Sequence, residues 1–226
     1  MHIHRRLLLL IAPATFAFGA GCAHTPTPAA APVALPFPDR APPDVPAPDS
    51  FSVLVETTRG PVVIMMHRDW APRGVDRVYS LVRQHYYDTV AVFRVVPKFV
   101  AQFGLAADPR FTALYRKDTI LDDSVRKSNL RGTVTFARSG ANSRTAQLFI
   151  NLVDNARLDV ANGFGFAPIG QVVKGMELVD LFNAEYNATT PSQGLIASQG
   201  NAYLRANYPR LDYILRMTIT KEWKRR

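Results

Sequence analysis

The chain has 226 residues, 47% hydrophobic and 20% charged, a balance that excludes a disordered or collagen-like polymer and fits one globular domain with appendages. Its single cysteine, Cys22, excludes an intramolecular disulfide and any zinc site built on several thiolates, and no pair among its five histidines has metal-ligand spacing, so no metal or other cofactor is expected. The net charge of +9 falls wholly on residues 51–226, but its basic residues are scattered apart from Lys221, Lys224, Arg225 and Arg226, so nucleic-acid binding is not expected.

The N-terminus opens with His2, His4, Arg5 and Arg6, followed by an apolar run from Leu7 to Ala20. Such a run is too short to span a bilayer, which takes about 20 residues. With Gly19-Ala20-Gly21 behind it, it reads as an export signal. It resembles the bacterial lipoprotein signal, in which the cysteine that follows is cut free and acylated, although Gly19 stands where a leucine is usual. Residues 1–22 are therefore expected to be a signal segment, with Cys22 the lipidation site and a lipid anchor in the membrane. The plainer alternative is an ordinary signal cut nearby. Residues 23–50 hold nine prolines among many alanines and read as an extended polyproline spacer between anchor and domain. The product is expected to be exported, periplasmic and membrane-anchored.

Residues 51–226 read as one mostly-β domain. Phe51–Glu56 alternates as a strand, Thr57–Gly60 is a turn, and Pro61–His67 returns. Pro72 opens a helix with Val75, Val78, Leu81 and Val82 on one face. Further strands fall at 92–96, 99–103, 133–137, 147–152, 167–173 and 211–220, with a second helix over 175–182. Eight strands and two helices point to a closed barrel with helices over its ends. Segments 104–131 and 183–210 read as long irregular loops, a length that goes with function or decoration.

Three stretches carry the chemistry. The first is Tyr86-Tyr87-Asp88 with Phe93 to Gly104, the second Gly132 to Asn151, and the third Leu158-Asp159, Phe166 to Gly170 and Gly175-Met176-Glu177. Together with Thr57–Gly60 and Ala71–Val75 they resemble the cyclophilin family of peptidyl-prolyl cis/trans isomerases, in order over residues 52–220. The resemblance implies an eight-stranded antiparallel β-barrel capped by two helices. It implies an isomerase of X-Pro bonds in exported proteins, needing no cofactor, acting as a monomer on proline-containing peptides and unfolded chains. It places the catalytic arginine on Arg94 and its partner on Gln102. Phe99 and Phe149 become the proline-pocket phenylalanines, Leu158 the rim, and Phe136 the position of a methionine lining the pocket. Val100, Ala137 and Gln147 stand at further contact positions. The chain departs from the pattern at Phe93 for a histidine, Arg138 for an asparagine used through its backbone, Arg157 for a tryptophan of cyclosporin-sensitive members, and Phe166 for a histidine near the pocket.

The residue types suit the reaction. A peptide bond resists rotation by about 18–20 kcal/mol because nitrogen shares its lone pair with the carbonyl. In the twisted state the nitrogen regains that pair, and a donor aimed at it binds the twisted state better than the planar one. No nucleophile, base or metal is needed.

Each residue also has a plainer role. Phe99, Phe136 and Phe149 fit a core, and Arg94 fits a solvent-facing strand position. Phe99 and Gln102 have opposite parity, so both reach one pocket only if the strand bends there. His67 and His85 read as surface or packing residues, Asp122 and Asp123 as capping or turn acids, and Asn142–Thr145 as the frame of a loop. The main alternative function is a proline-peptide binding module or holdase with little turnover.

Overall fold

The computed structural model describes residues 40–224. The signal segment with Cys22, the spacer as far as residue 39, and Arg225 and Arg226 lie outside them.

β1 (Ser50–Thr57) and β2 (Gly60–His67) form the first hairpin, and the pairing of Thr57 with Gly60 leaves Thr58 and Arg59 as its tip. Gly60 turns the chain with φ +122°, which a side chain would resist. Alternation sends Phe51, Val53 and Val55, and opposite them Val62, Ile64 and Met66, into the core, each at most 4% exposed. Burying such a side chain contributes roughly 1.5–3 kcal/mol.

α1 (Pro72–Arg83) starts on its proline and buries Val75, Val78, Leu81 and Val82. Its first free N–H groups, those of Arg73 and Gly74, donate to the Asp123 carboxylate at 3.1 and 2.9 Å. Asp123 is thus a capping acid, though for a helix that precedes it by about fifty residues. Just before β1, residues 44–49 lie against α1. Val45 N–H donates to Ser80 Oγ, Ala47 N–H to Asp76 Oδ1, and the buried Arg77 pairs with Asp44 at 2.7 Å. The end of the proline-rich segment is therefore part of the folded body.

The expected strand at 92–96 is shortened to β4 (Arg94–Val96), and a separate short strand, β3 (Val90–Ala91), precedes it. β5 (Val100–Phe103), β6 (Thr133–Phe136), β7 (Leu148–Asn151), β8 (Pro168–Lys174) and β9 (Tyr213–Trp223) complete one antiparallel sheet of nine strands rather than eight. Its order is β3-β9-β1-β2-β8-β6-β7-β5-β4. The two outermost strands, β3 and β4, are separated in the chain only by Val92 and Phe93, so the sheet must curl until its edges nearly meet. That short connection, with no β3–β4 ladder, brings the edges together.

The described residues hold five α-helices rather than two. α2 (Pro109–Tyr115) lies in the first expected loop, α3 (Met176–Val179) is shorter than expected, and α4 (Gln193–Gln199) and α5 (Asn201–Asn207) lie in the second. The short helices stand on local signals. Asp108 caps α2 by accepting from Arg110 N–H, with Pro109 at the first position. Ile196 and Leu204 of α4 and α5 join Ala91, Phe93, Leu105 and Leu211 in a second, smaller apolar cluster.

Candidate functional site

The β4–β5 hairpin builds the centre of the site. Its turn carries Lys98 in the left-handed region at φ +59°, and Phe99 N–H returns to Val96 O at 3.0 Å. β5 begins only at Val100, so Phe99 belongs to the turn. This removes the parity conflict between Phe99 and Gln102 without a bulge. Across the sheet, Arg94 pairs with Gln102, and Gln102 with Phe149. Residues opposite each other on neighbouring strands share a face.

On that face opens a cavity of about 320 Å³. Arg94, Phe99, Val100, Gln102 and Phe149 line it from the β-strands and turn, Ala137 and Arg138 from the segment after β6, and Leu158 and Phe166 from the loop before β8. All these were picked out in the sequence. The Phe149 and Phe166 rings meet edge to face at 6.0 Å between centroids, and the Arg157 guanidinium stands 4.9 Å above the Phe99 ring. Its apolar side is made by Phe99, Val100, Phe149, Leu158 and Phe166, and its polar side by Arg94, Gln102, Arg138 and Gln193.

Phe136 is elsewhere. Its partner in the β6–β7 register is Leu148, one residue away from Phe149, so the alternation that turns Phe149 to the cavity turns Phe136 inward. It is 1% exposed in the main core, with the Arg144 guanidinium 5.4 Å from its ring. The assignment of Phe136 to the pocket lining is corrected on that ground.

Gln147 does not line this cavity but supports it. Arg94 Nη1 donates to Gln102 Oε1 at 3.1 Å, Gln102 Nε2 to Gln147 Oε1 at 2.9 Å, and Gln147 Nε2 to Gln193 Oε1 at 3.2 Å. The relay ends on the first residue of α4, which the sequence did not mark. Arg94 has no carboxylate within ion-pair distance among the described residues.

Arg138 is neutralised and enclosed. Its side chain is 2% exposed, pairs with Asp122 at 3.2 Å, donates to Gly165 O, and lies 3.9 Å over Phe164 and 4.4 Å over Phe166. Burial lowers its pKa from the usual arginine value, against the pull of Asp122. It fixes the Phe164–Phe166 wall. Ser143 frames the neighbouring loop, accepting from Ser139 and Gly140 N–H and donating to Gly140 O, in keeping with the structural reading of Asn142–Thr145. His67 packs on Trp70, while His85 pairs with Asp88 at 3.1 Å.

A second cavity, about 420 Å³, adjoins the first and shares Gln102, Ala137, Arg138 and Gln193 with it. Among the described residues, no group of three or more His, Cys, Asp or Glu side chains is placed to hold a metal ion. The site therefore offers an apolar slot with a cationic donor, Arg94, oriented by Gln102 at its edge.

The family model for cyclophilin type peptidyl-prolyl cis-trans isomerase/CLD matches residues 52–198. Among characterised proteins, the chain is 37% identical over 135 residues to peptidyl-prolyl cis-trans isomerase A of Dickeya dadantii, covering 58% of this chain and 70% of the relative. It is 34% identical over 134 residues to peptidyl-prolyl cis-trans isomerase B of Escherichia coli, covering 57% and 81%. A crystal structure of a cyclophilin type isomerase from Cryptosporidium parvum shares the fold, with a TM-score of 0.56 and 16% identity over 77% of this chain and 99% of that one.

Proposed function

The chain belongs to the cyclophilin-type peptidyl-prolyl cis-trans isomerases, and from that footing we propose how its cleft turns an X-Pro bond and where it does so. The proline ring enters the slot between Phe99, Phe149 and Leu158 and is held while the preceding residue rotates. Before proline the two isomers differ little in energy, yet they exchange in tens to hundreds of seconds, so only the barrier needs lowering. As the bond twists, the nitrogen regains its lone pair, and an Arg94 N–H donates to it. The planar ground state offers that donor little, so the contact lowers the barrier rather than tightening ground-state binding. Gln102 holds the guanidinium through the 3.1 Å bond to its oxygen. Val100 and Phe166 complete the apolar wall, and Ala137 and Arg138 present backbone to the peptide. The observation that carries this reading is an arginine without a carboxylate partner among the described residues, tied by one N–H to Gln102 at the edge of the apolar slot.

The working place we propose is outside the cytoplasm. The apolar run from Leu7 to Ala20 ahead of Cys22 supports export and acylation, and the proline-rich spacer supports a tethered domain that meets unfolded exported chains.

Exchange NMR on an X-Pro peptide tests the mechanism, reading isomerisation rate and affinity from one titration. Arg94→Ala is expected to slow exchange by roughly 100- to 1000-fold, with affinity changing far less. Arg94→Lys recovers part, since a flexible ammonium lacks the fork. Equal losses of rate and affinity would make Arg94 a binding residue. Binding without exchange enhancement in the unaltered protein would favour a proline-peptide binding module.

A further inference from the structure

We propose that Gln193, on α4, is a positioning residue whose amide oxygen completes the Arg94–Gln102–Gln147 relay at its far end and so helps to keep Arg94 aimed at the reacting nitrogen. The inference rests on the reading of Arg94 as the donor.

A glutamine amide has one end that accepts and one that donates, and the two are nearly equal in shape. A guanidinium only donates. Gln102 must therefore present Oε1 to Arg94, which leaves its Nε2 to find an acceptor. That acceptor is Gln147 Oε1 at 2.9 Å. Gln147 then has only its Nε2 end left, and Gln193 Oε1 receives it at 3.2 Å. Every bond in the relay runs in the same direction, away from Arg94. Were Gln147 to turn over, its NH2 would face the NH2 of Gln102. Were Gln102 to follow, its NH2 would face Arg94, donor against donor. Arg94 imposes this sense from one end, and an acceptor at the far end adds to it by keeping Gln147 Nε2 paired.

The backbone that carries Gln193 is held in place. It opens α4 directly after Ser192, whose hydroxyl caps the helix at Leu195 N–H. Ile196 anchors the same helix, 1% exposed in the second apolar cluster. At its end, Gly200 has φ +59°, and a Cβ there would lie 2.1 Å from Ala107 O, while Asn201 N–H donates to that same oxygen at 3.0 Å. The helix is thus pinned to the segment between β5 and α2. The Gln193 side chain itself lines both cavities, and its Nε2 makes no hydrogen bond to the described residues.

Three substitutions at this exposed position separate polarity from packing. Gln193→Met keeps the length and removes the acceptor. Gln193→Glu offers acceptors only, and Gln193→Lys donors only. The full chain with each change is measured by exchange NMR on an X-Pro peptide, beside Arg94→Ala, with a thermal melt for folding. The methionine protein is expected to turn over about three-fold slower, the scale of one net hydrogen bond. Glutamate stays above methionine and lysine falls below it, because lysine draws Gln147 Oε1 towards itself and reverses the relay. Peptide affinity moves less than the rate. The order is expected to persist at about 1 M salt, where the screening length is about 3 Å and a bare charge effect fades. Equal rates in all three proteins, an order that collapses in high salt, or affinity falling in step with rate would overturn the role of Gln193 while leaving that of Arg94 intact. If Arg94→Ala also leaves exchange unchanged, both readings fall together.

Discussion

Arg94 stands directly across the β4–β5 ladder from Gln102, and its Nη1 donates to Gln102 Oε1 at 3.1 Å. The two side chains leave one face of a hairpin whose register is held by backbone bonds on both sides, since Gln102 is also paired with Phe149 of β7. The guanidinium is thereby restrained before any peptide arrives.

Gln102→Ala removes that restraint without removing the charge. Turnover on an X-Pro peptide is expected to fall about ten-fold, the scale of a hydrogen bond to a charged group, while affinity changes by less. Exchange NMR reads both. Turnover equal to that of the unaltered protein would show that Arg94 needs no partner.

Phe149→Ala opens the slot at its centre. Phe149 is 6% exposed, so truncation also costs about 3 kcal/mol of stability, near the low end for a buried phenylalanine because one side already faces the cavity. Peptide affinity and turnover are expected to fall together, in contrast to Gln102→Ala. Denaturant unfolding run beside the activity measurement separates lost protein from lost grip. Full activity in a folded Phe149→Ala protein would remove Phe149 from the site.

Asp159 ties the cavity wall to the body of the domain. Burial pushes its carboxyl up, but hydrogen bonds from Ser128 and from the side chain and backbone of Asn129 outweigh that and hold it below the usual carboxylate value. Asn129 also donates to Phe166 O, next to the Phe166 N–H bond to Leu158 O. A carboxyl lowered in the folded state contributes stability above its unfolded value, about 3.9, and loses it as pH falls through the folded value. Asp159→Asn is therefore expected to cost about 1–2 kcal/mol at pH 7. The gap to the unaltered protein should close as pH falls through and below the usual carboxylate range. Urea unfolding at several pH values checks this, and a gap independent of pH would show that the charge of Asp159 is not what holds the wall.

Cys22→Ser removes the thioether-forming sulfur. If Cys22 carries lipid, the unaltered protein sediments with membranes and the serine protein does not. Fractionation of cells making each, with mass measurement of the mature N-terminus, reads this directly. The same soluble mature product from both would rule out acylation and leave export standing.

Local pattern was enough for much of this protein. Alternation in Phe51–Val55 and Val62–Met66 and the proline at the head of α1 determined the first two strands and the first helix, because each depends on residues close in the chain, and the family resemblance carried by the run from Phe93 to Gly104 marked Arg94, Phe99, Val100 and Gln102 of the cavity lining. The rest required neighbours distant in sequence. Phe136 and Phe149 look alike along the chain, and only the β6–β7 register decides that one faces the core and the other the cavity. The break between β3 and β4 follows from the curl of the whole sheet, which asks Val92 and Phe93 to leave one edge and join the other. α2, α4 and α5, each of seven residues, are too short for a helical period to stand out and are held by caps and by the second apolar cluster. Gln193 lies 46 residues beyond Gln147, and nothing local joins them. Their hydrogen bond exists because α4, pinned at Gly200 and Ile196, carries a glutamine back across the chain to the end of the relay that begins at Arg94.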